Sequence, residues 1–406
     1  MTLETPLSIA RIAPGDLGLA ATPPRGRPLV HQGKTPIVWL ILADKSGDNA
    51  QALAVAEALP WPFEVRKMTM QARYALGKPK VEASLAHIDA ACSDALQAPW
   101  PDLVIAIGRR MSNVALWIKQ LSGGTARIVL LGAAKGRIRD FDLTVVSDQY
   151  RYSPRANMLR IRYPLQRIDR ARIASEADEW RPEIAVLPRP LIAVMVGGLT
   201  KEVKFDAAIA ETFGLALGRL AHESAGSLIV TTSRRTPPDV IAALKRNLPQ
   251  ETPIHEWSPA GGRNPYRALL SLADRFVVTS DSLSMQMEIA RLGRPLAIYR
   301  LPPGSVLAAG ALSRLADGIL GSRLFGSALA RRGEQRIGVL LDRLGSLRHH
   351  RDILAIPRRL VADGHAVWFG QPFSLDPAPP PDELPEVVSR ITALLEERAQ
   401  GGQRRG

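Results

Sequence analysis

The residues best suited to chemistry lie in TSDSLSMQMEIARLGRP at 279–295, directly after the apolar run RFVV. Ser280, Asp281, Ser282 and Ser284 are short polar side chains of the kind that cap a helix start. Glu288 stands one helical turn beyond Ser284, so the two share a face. Such a turn can hold a phosphate at the helix start, where backbone N–H groups converge. A carboxylate one turn further on can accept both hydroxyls of a ribose. The ordinary alternative is a strand-to-helix turn whose Glu answers the helix dipole and whose Met285, Met287 and Ile289 are core.

Two further loops in the second half carry related chemistry. VGGLTK at 196–201 places Gly197 and Gly198 after an apolar run, where they let backbone approach an anion, with Thr200 and Lys201 in reach of phosphate. TTSRRTPPD at 231–239 sets Ser233, Arg234, Arg235 and Thr236 before a helix start. Two arginines there oppose the helix dipole unless an anion lies between them. Each loop alone also reads as a plain tight turn. The first half offers LADKSGDNAQ at 42–51, with Asp44, Lys45, Gly47 and Asp48, and IGRRMSN at 107–113, with Gly108, Arg109, Arg110 and Ser112 as a cap candidate.

These loops need strand ends to stand on. From Ile37 onward, uniformly apolar runs (IVWLILA, DLVIAIG, RIVLLG, DLTVVS, LIAVMV, SLIVTT, RFVVTS, PLAIYR) alternate with helical patterns, including NAQALAVAEAL, VEASLAHIDAACSDAL and MSNVALWIKQL. Apolar runs separated by helices indicate buried parallel strands with right-handed crossovers. The fold expectation is therefore α/β: two Rossmann-like domains with parallel sheets facing a cleft, since ligands of open sheets sit beyond the carboxyl ends of the strands. Pro182, Pro188 and Pro190 mark the expected linker. The reading divides the chain into a disordered tail (1–35), an N-terminal acceptor domain (36–182), a donor-binding domain (183–302) and a helical extension with a closing helix (303–406).

Composition bounds the rest. A chain of 406 residues exceeds what one core usually supports. No apolar run approaches the roughly 20 residues of a membrane span, and Glu4, Pro14 and Asp16 break up any signal-peptide pattern, so the expected location is cytoplasmic. Cys92 is the single cysteine, which excludes an intramolecular disulfide. Lys and Arg total 53 against 39 Asp and Glu, a net +14. Arg151, Arg155, Arg160, Arg162, Arg167, Arg170 and Arg172 stand together with Asp169 as the one acid among them. They read as a solvated basic edge or as contact with an anionic membrane surface. With aromatic residues at 5% and no stacking platform, nucleic acid is not expected as a partner.

The strings LADKSGDNAQALAVAEAL, PDLVIAIGRR, VGGLTK, TTSRRTPPD, GGRNPYRALLSLAD and VTSDSLSMQMEIARLGRP resemble the bacterial branch of the mitochondrial-fission family, named for a plant protein whose loss elongates mitochondria. The resemblance runs from about 37 to 300, and LVADGHAVWFG is similar to the family's ending. It implies a two-Rossmann-domain (GT-B-like) glycosyltransferase and adds Asn264 to the donor-binding set. The same donor loop resembles that of the enzyme adding N-acetylglucosamine to the lipid-linked peptidoglycan precursor. That likeness implies Glu288 as the ribose ligand, with a one-residue departure in spacing. It also places Asp48 where that enzyme has a catalytic histidine, with Asp44 as substitute. The implied chemistry is an inverting, metal-independent transfer from a nucleotide-sugar donor, UDP-linked, to a lipid-linked or lipopolysaccharide-type envelope acceptor at the inner membrane face, with no cofactor. Lys45, Gly47, Arg109 and Arg110 would meet acceptor or phosphate. A non-catalytic adaptor or a nucleotide-sugar epimerase on the same fold are the alternatives.

Overall fold

The computed structural model describes residues 35–43, 46–74, 82–132, 137–150, 152, 154–200, 202–304 and 352–403. The tail at 1–34, most of 303–355, and the candidates Asp44, Lys45 and Lys201 lie outside them.

The chain divides into two compact units. The first takes described residues up to Arg167 and again from Asp382. Its strands are β1 (Val38–Leu42), β2 (Phe63–Lys67), β3 (Leu103–Ile107), β4 (Arg127–Leu131), β5 (Leu143–Ser147) and β6 (Met158–Ile161). They pair in the order β2-β1-β3-β4-β5-β6, every pair parallel. VWLIL in β1 and LVIAI in β3 are buried at every position, as strands covered on both faces must be. On one face lie α1 (Ser46–Ala58) and the closing helix α9 (Leu384–Gln403), whose Val387, Ile391 and Leu395 recur at four-residue spacing and pack into the core with Ala52, Val55 and Ala56. On the other, α2 (Gly108–Leu121) buries Met111, Val114, Ala115 and Ile118.

The second unit takes the described residues from Ile168 to 304 and on to Pro381. Its strands are β7 (Leu191–Met195), β8 (Ser227–Thr231), β9 (Ile254–His255), β10 (Arg275–Thr279), β11 (Leu296–Tyr299) and β12 (Val367–Trp368), in the order β12-β11-β10-β7-β8-β9 and all parallel. Its helices are α3 (Arg170–Ile184), α4 (Ala207–Glu223), α5 (Pro238–Asn247), α6 (Tyr266–Leu272), α7 (Leu283–Arg291) and α8 (Ala355–Ala362). Two Rossmann-like parallel α/β units are thus what the alternation of runs predicted.

Several expectations need correction. The unit boundary falls at Arg167–Ile168, not near 182, because α3 packs on α6 of the second unit; Pro182 sits inside that helix and not in a linker. The segment from 303 is not one extension: α8 and β12 complete the second unit and α9 returns to the first. VEASLAHIDAACSDAL forms no α-helix. It runs beside the continuation of edge strand β2, where Asp89 N–H donates to the Thr69 carbonyl at 2.9 Å and Asp94 accepts from Lys67 N–H at 2.7 Å. These bonds to the sheet edge, together with the local ones in which Ser84 and Asp89 accept from backbone N–H two residues on, prevail there over helical periodicity. Four arginines of the basic run are paired with acids: Arg160 with Asp148, Arg162 with Glu383, Arg167 with Glu57 and Arg172 with Glu176 one turn along its own helix. Among the described residues no helix is long and apolar enough to cross a membrane.

Candidate functional site

At the carboxyl edge of the second sheet, β7, β8 and β10 are neighbours, so their loops must meet. The centre of the meeting is Asp281, whose side chain is 0% exposed. Its carboxylate accepts from Gly198 N–H at 2.8 Å, from the Thr279 hydroxyl at 2.7 Å and from the Arg235 guanidinium at 3.1 Å. Thr279 in turn accepts from Gly197 N–H at 2.8 Å. The Thr236 hydroxyl donates to the Gly197 carbonyl, and Leu199 N–H donates to the Arg235 carbonyl at 3.0 Å. Gly197, Gly198, Arg235 and Asp281 are therefore one knot.

This geometry changes the role of the glycines. A Cβ on Gly197 would lie 2.2 Å from the Asp281 carboxylate, and one on Gly198 would lie 2.1 Å from the Arg235 backbone. Both positions need glycine because the chain itself fills the space, and both N–H groups already have acceptors. The expectation that these two amides approach a ligand anion is corrected accordingly. Asp281 is likewise withdrawn from contact with a ligand.

Other candidates sort by what holds them. Ser233 closes a turn in which its hydroxyl lies 3.0 Å from that of Thr236 and its N–H donates to Thr236 at 2.8 Å. Ser280 is buried, with its hydroxyl accepting from Leu301 N–H at 3.1 Å, so it splints the sheet and caps nothing. Ser282 is the N-cap residue of α7, but its side chain makes no capping bond. Ser284 is exposed in the first turn of α7. Thr200 accepts from Val203 N–H at 3.3 Å. Arg234 is exposed, and among the described residues no hydrogen bond or ion pair holds it. The edge thus leaves an open cation and an uncapped helix start with its partial positive charge.

Glu288 has a different neighbourhood. Its carboxylate accepts a short hydrogen bond from the Tyr266 hydroxyl, and Tyr266 N–H donates to the Asn264 side chain at 2.9 Å. Burial pushes the Glu288 carboxyl up, against the Tyr266 bond and the charge of Arg267 that pull it down. Burial, with the Glu288 charge beside it, raises the Tyr266 phenol well above its usual range. Asn264, Tyr266 and Glu288 thus make a second cluster, from the start of α6 and the second turn of α7. Tyr266 went unmarked in the sequence; its one signal is its place at a predicted helix start, within NPY. Burial also raises the Asp281 carboxyl, against Arg235, Gly198 N–H and Thr279.

At the carboxyl edge of the first sheet, Gly108 opens α2 at φ +71°, a conformation that favours glycine, and the Asp48 carboxylate lies 3.9 Å from where its Cβ would be. Asp48 and Gly47 are in the first turn of α1 and half-buried, and Arg109 and Arg110 are in the first turn of α2. Arg110 donates to the Tyr74 carbonyl at 2.9 Å, while its own carbonyl lies 2.9 Å from Nε2 of buried His87. Burial lowers the His87 imidazole, chiefly countered by the bond to the Arg110 carbonyl. Ser112 is no cap: it lies inside α2 and bonds the Arg109 carbonyl at 2.7 Å. Among the described residues no cluster of His, Cys, Asp or Glu could hold a metal ion.

Comparison with known proteins places the chain in a family. The family model described as Mitochondrial fission ELM1 matches residues 46–319. The Mitochondrial fission protein ELM1 of Arabidopsis thaliana is 26% identical over 220 residues, covering 49% of this chain and 51% of that protein. The match thus spans about half the length of that relative. An uncharacterized protein of Rickettsia prowazekii is 24% identical over 299 residues, 65% of this chain and 83% of that one. Among solved structures, S. aureus MnaA with UDP aligns at TM-score 0.41 and 12% identity, over 80% of this chain and 95% of that one. Acinetobacter baumannii MurG aligns at TM-score 0.39 and 14% identity, over 88% and 100%.

Proposed function

Because the chain belongs to the Mitochondrial fission ELM1 family, whose bacterial branch the sequence resembles, we propose that it binds a nucleotide-sugar at the carboxyl edge of the second sheet and transfers the sugar, with inversion, to a cell-envelope acceptor. The observation that carries the proposal is the exposed Arg234, next in sequence to Arg235, which Asp281 ties to the loop leading into the uncapped start of α7. A departing diphosphate needs fixed positive groups at the moment its charge develops. Arg234, the outer face of Arg235, Ser284 and the α7 amides supply them in this reading. Glu288, oriented by Tyr266, is assigned the ribose. Asp48 is assigned the proton of the acceptor hydroxyl, the one proton transfer such a reaction requires. No metal enters this scheme.

One observation favours a second reading, a non-catalytic adaptor. The amides of Gly197 and Gly198 are already occupied by the chain's own groups. Turnover separates the two. Incubated with UDP-sugars and envelope lipid extract, the wild type should release UDP, and Asp48→Asn should lose release while keeping donor binding. A wild type that binds UDP but never releases it from a donor supports the adaptor. An Asp48→Asn chain as active as wild type removes Asp48 from the mechanism.

A further inference from the structure

The donors gathered at the second-sheet edge are those that commonly bind phosphate: a glycine N–H, a threonine hydroxyl and a guanidinium. All three point at one carboxylate, at 2.8, 2.7 and 3.1 Å. The carboxylate belongs to the chain itself and its side chain is sealed from solvent, while Arg235 keeps 40% of its side chain exposed. We propose that Asp281 is an internal anion, standing where a phosphate group would sit. It keeps the three loops in their binding arrangement without a ligand and directs a ligand's anion outward, to Arg234.

This makes Asp281 a positioning residue and gives the two adjacent arginines different tasks. Arg235 is tied inward, to Asp281 and, at 3.3 Å, to the Leu199 carbonyl. Arg234 remains open. The glycine requirement at 197 follows from the same cause, since the carboxylate takes the volume of a Cβ. A buried carboxylate also repels any anion that approaches the loops, so the edge is less electropositive than its sequence suggests. The task left to Arg234 rests on the nucleotide-sugar reading; the assignment of Asp281 does not.

Titration calorimetry with inorganic pyrophosphate tests the proposal. Asp281→Asn keeps the side chain's size and one acceptor, and the freed Arg235 can be hydrated where it stands, so the chain should fold. Removing a unit negative charge a few ångströms from the bound anion should tighten pyrophosphate binding by about tenfold. The double variant Asp281→Asn/Arg235→Gln should return to the wild-type value. No gain in Asp281→Asn, or a gain that survives loss of Arg235, overturns the proposal. If Asn is not accommodated, Asp281→Ser takes its place. Failure of both variants to fold also overturns the proposal, because the carboxylate would then serve folding alone. A wild type indifferent to every nucleotide, with the pyrophosphate gain intact in Asp281→Asn, would remove the nucleotide-sugar reading and leave this one standing.

Discussion

At the carboxyl edge of the second sheet one fully buried carboxylate, Asp281, joins three loops, whereas at the corresponding edge of the first sheet the acid Asp48 stays half-buried beside the start of α2. The strands beneath are alike: among the described residues, six parallel strands in each unit, with buried apolar runs. What differs is how deep the acid lies. A sealed carboxylate acts through the groups it holds, and its loss is felt as rearrangement. A half-buried one can still exchange a proton with a bound molecule.

The sharpest way to break this comparison is steric. Gly198→Ala puts a methyl against backbone that has no room to yield, and should cost about 3 kcal/mol or more in urea denaturation. A loss well under 1 kcal/mol would show that the knot is loose. Next comes Arg235→Gln, which leaves the Asp281 carboxylate buried without its cation. Because Gly198 and Thr279 still donate, the expected loss is about 2 kcal/mol. Arg234→Gln, which breaks no bond, should leave stability within about 0.5 kcal/mol of wild type. In the first unit, Gly108→Ala meets only an ordinary contact at 3.9 Å and is penalised for its positive φ alone, by about 1 kcal/mol.

The smallest effect concerns pH, and its sign differs between the units. Glu288 of the second unit titrates above its usual range through burial. Between the ordinary carboxylate value and that raised value the folded state holds a proton that the unfolded state has lost, so stability falls as pH rises through the window. Glu288→Gln should flatten this fall in denaturation series run from acid to neutral pH. Asp142 of the first unit is the reverse: burial raises it, but Lys119, the Ile128 N–H and Arg127 together hold it low. Its contribution is present above the ordinary carboxylate value and is lost as pH falls through its lowered one, and Asp142→Asn should flatten the acid side. Equal slopes in wild type and Glu288→Gln would contradict the first assignment.

The fold was legible because buried parallel strands write themselves as continuous apolar runs; β1, β3, β7 and β10 all lie inside runs named from sequence. β6 was not, since MLRI carries an arginine within a basic stretch and buries only Ile161 fully. The segment at 81–96 was misread as a helix because its bonds go to the edge of β2 some 20 residues away, and periodicity holds no record of them. At the candidate site, the three loops singled out in the second half meet at one sheet edge, and Gly-Gly, Ser-Arg-Arg and Ser-Asp-Ser at strand ends are local signals. It could not tell which polar groups face a ligand and which face each other. That depends on strand order, which brings Asp281 to Gly198 across 83 positions.

The central claim is that a nucleoside diphosphate is held at this edge by the open arginine. The direct measurement is the melting temperature of wild type and Arg234→Gln with saturating UDP. At a concentration of about 100 times Kd, binding should stabilise the wild type by about 2.7 kcal/mol, a rise of several degrees. Arg234→Gln should melt with the wild type in buffer and lose most of the rise. A wild type that UDP and the other nucleoside diphosphates leave unmoved, or an Arg234→Gln chain that shifts as far as wild type, would contradict the account.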